Sequence, residues 1–159
     1  MIDEMTEPAW TVRKAEHTGF AVASLDEALA FWTGTMGFEL VRRADTSGPF
    51  IAQVTGVATE RCRMAIVAAP DGYWVELLEY ACAQSPGRVP DNPGAVGAAH
   101  IAFIVSDIHA AVKRTNQAGW PPRGSIQSIP GGPRQGTLCA YVTGPDNITI
   151  EFLQPPAVM

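Results

Sequence analysis

The sequence predicts an α+β fold built from two tandem βαβββ modules. Two repeated patterns lead to this prediction. A strand that opens on a histidine and runs into a helix occurs twice, beginning at His17 and at His100. A strand that follows Pro-Asp and a turn residue also occurs twice, as PDGYWVELL (70–78) and PDNITIEFL (145–153). The repeats are too long for a solenoid unit, so they indicate a duplicated module.

Each half of the chain predicts its elements in the same order. In HTGFAVASLDEALAFW and HIAFIVSDIHAAVKRT, alternating apolar residues give way to apolar residues at helical spacing. Ser24 and Asp107 are suitable helix N-caps, and Gly37 and Gly119 stand where each helix should end. Shorter alternating runs then predict further strands, at Gln53 to Val57, Cys62 to Ala68 and Leu138 to Thr143.

The module boundaries follow from a proline-rich segment in the middle of the chain. AQSPGRVPDNPGA, residues 83–95, contains three prolines that disfavour regular structure. The sequence therefore predicts a first module at 10–82, a linker at 83–95 and a second module at 96–156. A chain of 159 residues that is 47% hydrophobic can bury a core shared by both modules.

The composition of the chain argues against some classes of binding partner. The net charge is −5 and the basic residues are scattered, which argues against nucleic acid and anionic membranes as partners. No apolar run is long enough to span a bilayer, and the acidic N-terminus lacks the apolar core of a signal peptide. Three cysteines without a C-x-x-C motif suit a reducing compartment. We therefore expect a soluble cytoplasmic protein.

Strand alternation brings four polar residues to one side of the predicted sheet. Side chains along a strand point to opposite faces in turn, so Glu76 shares a face with Trp74 and Leu78. The same alternation gives His17, His100 and Glu151 equivalent positions, opposite the apolar residues that should pack on the helices. Unpartnered carboxylates are costly to bury, so four such groups around one hollow suggest a bound cation.

Simpler interpretations apply to each residue taken singly. A lone histidine or glutamate in a strand is most often a satisfied or solvated side chain, and only the repetition favours a functional site. Glu79 has Gln154 as its counterpart, on the face away from Glu76, and is expected to be a solvated strand end. Four arginines are weaker candidates for binding an anionic substrate: Arg42, Arg43, Arg123 and Arg134.

Four stretches carry a family resemblance: H-T-x-F-x-V-x-S-L-D-E-A-L-A-F-W followed by G-F-E-L, P-D-G-Y-W-V-E-L-L, H-I-A-F-x-V-x-D-I, and P-D-N-I-T-I-E-F-L. They resemble the vicinal oxygen chelate superfamily, which includes glyoxalase I, bleomycin resistance proteins and extradiol dioxygenases. The resemblance extends from about Val12 to Pro155. It implies a cupped mixed sheet around a metal site, with helices on the outer face. It also implies a homodimer, and leaves open whether the site lies within one chain or between two.

The resemblance also implies the ligands and the chemistry. The metal ligands would be His17, Glu76, His100 and Glu151. This set leaves positions open for two substrate oxygens and suits Ni, Co, Zn, Mn or Mg rather than Fe. The implied enzyme is a lyase or isomerase that acts on a small carbonyl substrate through a metal-stabilised enediolate, with Glu151, or else Glu76, as the general base.

Two departures from glyoxalase I bear on the substrate. Ala21 and Tyr80 replace an arginine and an asparagine that bind the glutamyl group of glutathione in that enzyme, so specificity for glutathione is not expected. Two alternatives stay open. One is an Fe-dependent extradiol-type dioxygenase, and the other is a non-catalytic resistance protein that binds a small molecule such as an antibiotic.

Overall fold

A computed structural model describes residues 10–82 and 87–157 and contains two mixed four-stranded sheets. The first sheet has the strand order β1-β4-β3-β2. Strand β1 pairs with β4 in parallel, and the other pairs are antiparallel. These strands span His17–Ala21 (β1), Glu39–Ser47 (β2), Thr59–Ala68 (β3) and Trp74–Cys82 (β4).

The second sheet repeats this topology, in the order β5-β8-β7-β6. Again the first and last strands along the chain, β5 and β8, pair in parallel. The strands span His100–Ile104 (β5), Gln127–Ser128 (β6), Leu138–Thr143 (β7) and Thr149–Gln154 (β8). The predicted α+β class and the βαβββ order of each half are thereby confirmed.

The helices begin and end close to the predicted positions. Helix α1 spans Leu25–Leu29 and continues as a π-helical segment, Ala30–Thr35, and α3 spans Ile108–Gln117. The predicted N-caps are present, because Ser24 and Asp107 accept backbone N–H groups of the first turns at 3.3 Å and 3.0 Å. After each helix a glycine takes a left-handed φ, 76° at Gly37 and 92° at Gly119, as the pattern predicted.

One predicted strand is wrong, and two observed strands, β2 and the two-residue β6, were not predicted. The run from Gln53 to Val57 is not a strand, because helix α2 spans Pro49–Thr55. Pro49 suits the first turn of a helix, and Gly56 ends it with a left-handed φ of 71°. The longer of the two, β2, is an edge strand that is exposed along most of its length. Without a buried face, its sequence shows no clear alternation of apolar and polar residues.

The segment between the sheets is described only in part. Residues 83–86 of the predicted linker lie outside the described residues, and residues 87–99 form no helix or strand. The module limits at 10–82, 83–95 and 96–156 stay predictions. Within the described residues, no helix has the length and apolar character needed to cross a membrane.

A single hydrophobic cluster joins the two sheets and their helices. It includes Val67 and Leu77 of the first sheet and Ile150 and Phe152 of the second. Trp32, which is completely buried, lies between the two halves, with its ring centroid 6.1 Å from that of Phe103. The helix-covered face of each sheet therefore points into one shared core. The opposite face of each sheet, which carries His17 and Glu76 or their counterparts, points away from that core.

Glu79 is not a solvated strand end. Its carboxylate accepts the backbone N–H of Leu25 at 2.6 Å and pairs with Arg63 at 3.1 Å. In the second half, the Gln154 side chain accepts the N–H of Ile108 at 2.8 Å. The last strand of each half thus holds the start of its helix, because these N–H groups have no acceptor within the helix.

We expect Glu79→Ala to lower the free energy of unfolding by about 1–3 kcal/mol, since it leaves the part-buried N–H of Leu25 without its acceptor and removes one of the two carboxylate partners of Arg63. Glu79→Gln should lose less, because its amide oxygen can still accept the N–H as Gln154 does. Urea unfolding with unchanged m values measures both effects. Exposed Glu60→Ala is the control. Equal stability of Glu79→Ala and the unchanged protein would contradict the capping role.

Candidate metal centre

His17 and Glu76 form the first predicted ligand pair. They come from neighbouring parallel strands, and the register places Gly19 of β1 directly opposite Glu76 of β4. The Nε2 atom of His17 lies 3.3 Å from Oε2 of Glu76. Gly19 has no side chain to cover the carboxylate, and 36% of the His17 side chain is exposed. The pair is therefore accessible from the open face of the first sheet.

His100 and Glu151 form an equivalent pair in the second sheet. The register places Ala102 of β5 opposite Glu151 of β8, in the same arrangement as Gly19 and Glu76. The Nε2 atom of His100 lies 3.2 Å from Oε2 of Glu151. The glutamate side chain is 18% exposed and the histidine side chain 46% exposed. Two segments far apart in the chain thus present the same imidazole and carboxylate geometry.

The spacing within each pair fits two ligands of one cation. Ligand atoms about 2.1 Å from a metal ion are about 3.0 Å apart at right angles and about 3.4 Å apart in a tetrahedron. The observed separations of 3.3 Å and 3.2 Å fall between these values. Imidazole nitrogen and carboxylate oxygen are also donors that suit Zn, Ni, Co and Mn. Each pair can therefore supply half of a four-ligand site.

The two pairs do not come together within the chain. Among residues 10–82 and 87–157, no three His, Cys, Asp or Glu side chains form a group that could hold a metal ion. The shared core explains the separation, since both helix-covered faces point into it and both ligand faces point outward. The four side chains that the sequence predicted around one hollow lie in two separate places.

A second carboxylate supports the first pair. Glu16 hydrogen-bonds Nδ1 of His17, the ring nitrogen that does not face Glu76. This hydrogen bond raises the pKa of His17, and the nearby charge of Glu76 acts in the same direction against the opposing effect of desolvation. A carboxylate on the far nitrogen orients an imidazole ligand and leaves Nε2 available for a cation.

Tyr141 lies beside the second pair, His100 and Glu151, and was not identified from the sequence. It lies directly opposite Glu151 on β7, and its hydroxyl oxygen is 3.4 Å from Nε2 of His100. Burial is the main factor that raises the pKa of its phenol, and the charge of Glu151 adds to it. The equivalent position opposite Glu76 is Ile66. Tyr141 could have been found from the hairpin register, because the β7–β8 connection determines which residues face each other.

The four candidate arginines lie in different surroundings. Arg43 pairs with Asp26 on the helix-covered side of the sheet. Arg123 is mostly buried, pairs with Asp91 and donates to the Asn147 carbonyl at 3.2 Å, so it joins residues 87–91 to the second half. Arg134 is exposed between β6 and β7. Arg42 is the one of the four whose register places it on the same face as Glu76.

The two positions that depart from glyoxalase I lie close together. Ala21 and Tyr80 line one cavity of about 360 Å³ at the end of the first sheet, together with Cys82, Arg88 and Asp146. Asp146 crosses between the two halves, since its carboxylate accepts the backbone N–H of Ala23 at 2.9 Å. Both departures therefore affect the same part of the molecule.

Comparison with known proteins gives the family. Residues 14–152 match the family described as Glyoxalase/Bleomycin resistance protein/Dioxygenase superfamily. The chain belongs to this superfamily, so the resemblance found in the sequence is confirmed.

Relatives with curated names include an epimerase and lyases. A 2-epi-5-epi-valiolone epimerase from an Actinomyces species is 30% identical over 145 residues, which are 89% of this chain and 79% of that protein. A lactoylglutathione lyase from Neisseria meningitidis serogroup B is 30% identical over 139 residues, which are 87% of this chain and 88% of that protein.

Solved structures share the fold. A glyoxalase family protein from Bacillus cereus has a TM-score of 0.77 and 24% identity, and the match covers 94% of this chain and 99% of that one. A fosfomycin resistance protein, FosX, from Listeria monocytogenes, complexed with Mn(II) and sulfate ion, has a TM-score of 0.59 and 13% identity, covering 92% and 96%. At these identities the likeness concerns the fold.

Proposed function

We propose that this protein is a metal-dependent lyase or isomerase that acts on a small carbonyl compound. The observation that carries the proposal is the pair of matching His–Glu sites, His17 with Glu76 and His100 with Glu151, each with its donor atoms 3.3 Å or 3.2 Å apart. The epimerase and the lactoylglutathione lyases among the relatives support the lyase or isomerase class.

The proposed site is completed by a second copy of the chain. The two ligand faces point away from the shared core, so one chain cannot bring its two pairs to one cation without separating that core. In a two-fold symmetric dimer, the first pair of one copy can meet the second pair of the other, and symmetry then produces two equal sites. This geometry would form a cupped surface from two sheets, with the helices on its outside.

Within such a site the protein residues have distinct tasks. His17, Glu76, His100 and Glu151 would hold a divalent cation, which would supply a Lewis acid for the substrate oxygens. Glu151 acts as general base and removes the proton beside the substrate carbonyl. Tyr141, opposite Glu151 on the next strand, supplies a hydroxyl to that half of the site. Ile66 in the equivalent place offers no such group, which supports Glu151 over Glu76 as the base.

Metal replacement under argon tests this function. Metal-free protein refilled with Ni²⁺, Co²⁺, Zn²⁺ or Mn²⁺ should exchange the proton next to the carbonyl of a suitable substrate with deuterium from the solvent. Nuclear magnetic resonance detects this exchange in a panel of small ketones and aldehydes, even when no product accumulates. A strict requirement for Fe²⁺ with stoichiometric oxygen consumption on catechols would instead support the dioxygenase. Metal-independent binding without exchange would support the small-molecule binder.

One member of the panel tests the glutathione prediction. We expect methylglyoxal with glutathione to be turned over weakly, because Ala21 and Tyr80 lack the charged and amide groups that would bind the glutamyl end. Initial rates at low glutathione, compared with those of an authentic lactoylglutathione lyase, measure this. Efficient and saturable turnover would contradict it.

A further inference from the structure

Arg42 lies on the open face of the first sheet, in line with Glu76. Glu76 of β4 is directly opposite Ile66 of β3, and Ile66 is directly opposite Arg42 of β2. Residues directly opposite each other in a sheet point to the same face. A β-bulge between Leu40 and Arg42 sets this register. Arg42 therefore shares its face with the first ligand pair, separated by one strand.

The other arginines of β2 and β3 lie on the opposite face and are paired. Arg43 and Arg63 both pair with Asp26 of α1, at 3.4 Å and 3.1 Å. Arg61 donates to Asp45 from Nε at 2.8 Å. These contacts account for the charges on the helix-covered side.

Arg42 differs from them in its surroundings within the described part of the chain. Among residues 10–82 and 87–157, its guanidinium forms no ion pair within 4.0 Å and no side-chain hydrogen bond, and the residue is exposed. Glu39, opposite Ala68, is the carboxylate of β2 on the same face as Arg42. No ion pair or hydrogen bond joins the side chains of Glu39 and Arg42. An exposed guanidinium on a face used for binding is thus available for an anion.

The strand between Arg42 and Glu76 presents apolar side chains to this face, and Ile66, directly between the two, is buried. On this face β3 presents Met64, Ile66 and Ala68, so no carboxylate of β3 competes for the guanidinium. Neighbouring strands are about 4.8 Å apart, which puts the backbones of Arg42 and Glu76 about 10 Å apart. A ligand of a few carbon atoms can span the gap that remains between a cation at Glu76 and a guanidinium at Arg42.

We propose that Arg42 binds an anionic group of the substrate, so that the substrate of the proposed site is a carbonyl compound with a carboxylate or phosphate group remote from its chelating oxygens. A guanidinium suits both groups, because its parallel N–H donors match two oxygens at once. This inference rests on the proposed function for the identity of the site. It adds the substrate class, which neither ligand pair determines.

Two probes of equal length test the inference. 2-Oxoglutarate and 2-oxovalerate share a chelating 2-oxo acid group, and only the first has a second carboxylate at the far end. Calorimetric titration of the Mn²⁺-loaded protein should give about tenfold tighter binding of 2-oxoglutarate, the gain expected from one charge-assisted contact. In Arg42→Gln this preference should fall to about twofold or less, while binding of 2-oxovalerate is unchanged. Arg43→Gln, on the opposite face, should keep the preference.

A second measurement does not depend on bound metal. Phenylglyoxal modifies accessible arginines, and peptide mass mapping of metal-free protein identifies the sites. Arg42 should react faster than the paired Arg61 and Arg63, and 2-oxoglutarate should slow its modification, because a guanidinium that binds a carboxylate is shielded from the reagent. If Arg42 is protected in this way but the protein binds no Mn²⁺, the proposed metal site is refuted and the anion site at Arg42 still stands. An unchanged preference in Arg42→Gln, or modification of Arg42 at the same rate with and without 2-oxoglutarate, would overturn the inference and leave the metal site standing.

Discussion

Two variants that each lose metal should recover it when they are combined. The first is His17→Ala with Glu76→Ala, and the second is His100→Ala with Glu151→Ala. Each alone removes two of four donors from every site and should weaken Mn²⁺ or Zn²⁺ binding by more than the 10–100-fold typical of a lost outer-shell contact. In a mixed dimer one site receives all four intact residues and the other receives none. An equal mixture with random pairing should thus regain about a quarter of the unchanged metal content.

The measurement is elemental analysis after joint refolding of the two variants. A matched control removes a histidine and a glutamate that lie outside both pairs, His109→Ala with Glu60→Ala, both exposed in the structure. It should bind metal normally. Full metal content in both the His100→Ala and Glu151→Ala single variants would refute the ligand assignment. If each double variant loses metal and the mixture of the two does not regain any, the proposal that the site lies between two copies is refuted.

Glu151→Gln should lose far more activity than metal. The amide oxygen can still contact a cation, but glutamine cannot accept the substrate proton at neutral pH. Loss of a general base costs typically 10²–10⁴-fold in rate. We therefore expect solvent deuterium exchange to fall by about that factor, with metal content near that of the unchanged protein.

Glu76→Gln is the matched comparison, since it makes the same change at the equivalent position of the first sheet. It should keep more of the exchange rate, because in the proposed mechanism Glu76 holds the cation without accepting the proton. Exchange rates and metal content of the two variants are measured side by side. Near-normal exchange in Glu151→Gln together with a large loss in Glu76→Gln would reverse the assignment of the base.

Much of the fold could be predicted because its patterns are local and occur twice. Alternation correctly assigned Glu76 and Val75 to opposite faces, and the structure places Val75 in the core and Glu76 beside His17. Caps at Ser24 and Asp107 were visible for the same reason. The error at Gln53 to Val57 arose where the local pattern is weak, in a mostly exposed helix with a single buried residue, Ile51.

Contacts between distant segments could not be predicted in this way. Glu79 looked like a solvated strand end because its partners, Leu25 and Arg63, come from two other elements. Tyr141 has no counterpart in the first half, where Ile66 takes its place, so a search for repeats passes over it. Asp71 and Asp146 also differ despite their matching motifs. Asp71 accepts the nearby Tyr73 N–H, whereas Asp146 reaches Ala23 in the other half.

Two properties follow from the sequence alone: the presence of two related modules, and the face of each strand that carries the histidine or the glutamate. Strand periodicity is a property of the backbone, so it needs no knowledge of the rest of the fold. The orientation of the two faces, in contrast, depends on tertiary packing. The packing of Trp32 against Phe103 joins the helix-covered sides in one core. Burial of that apolar surface turns both ligand faces outward and keeps the two pairs apart within one chain.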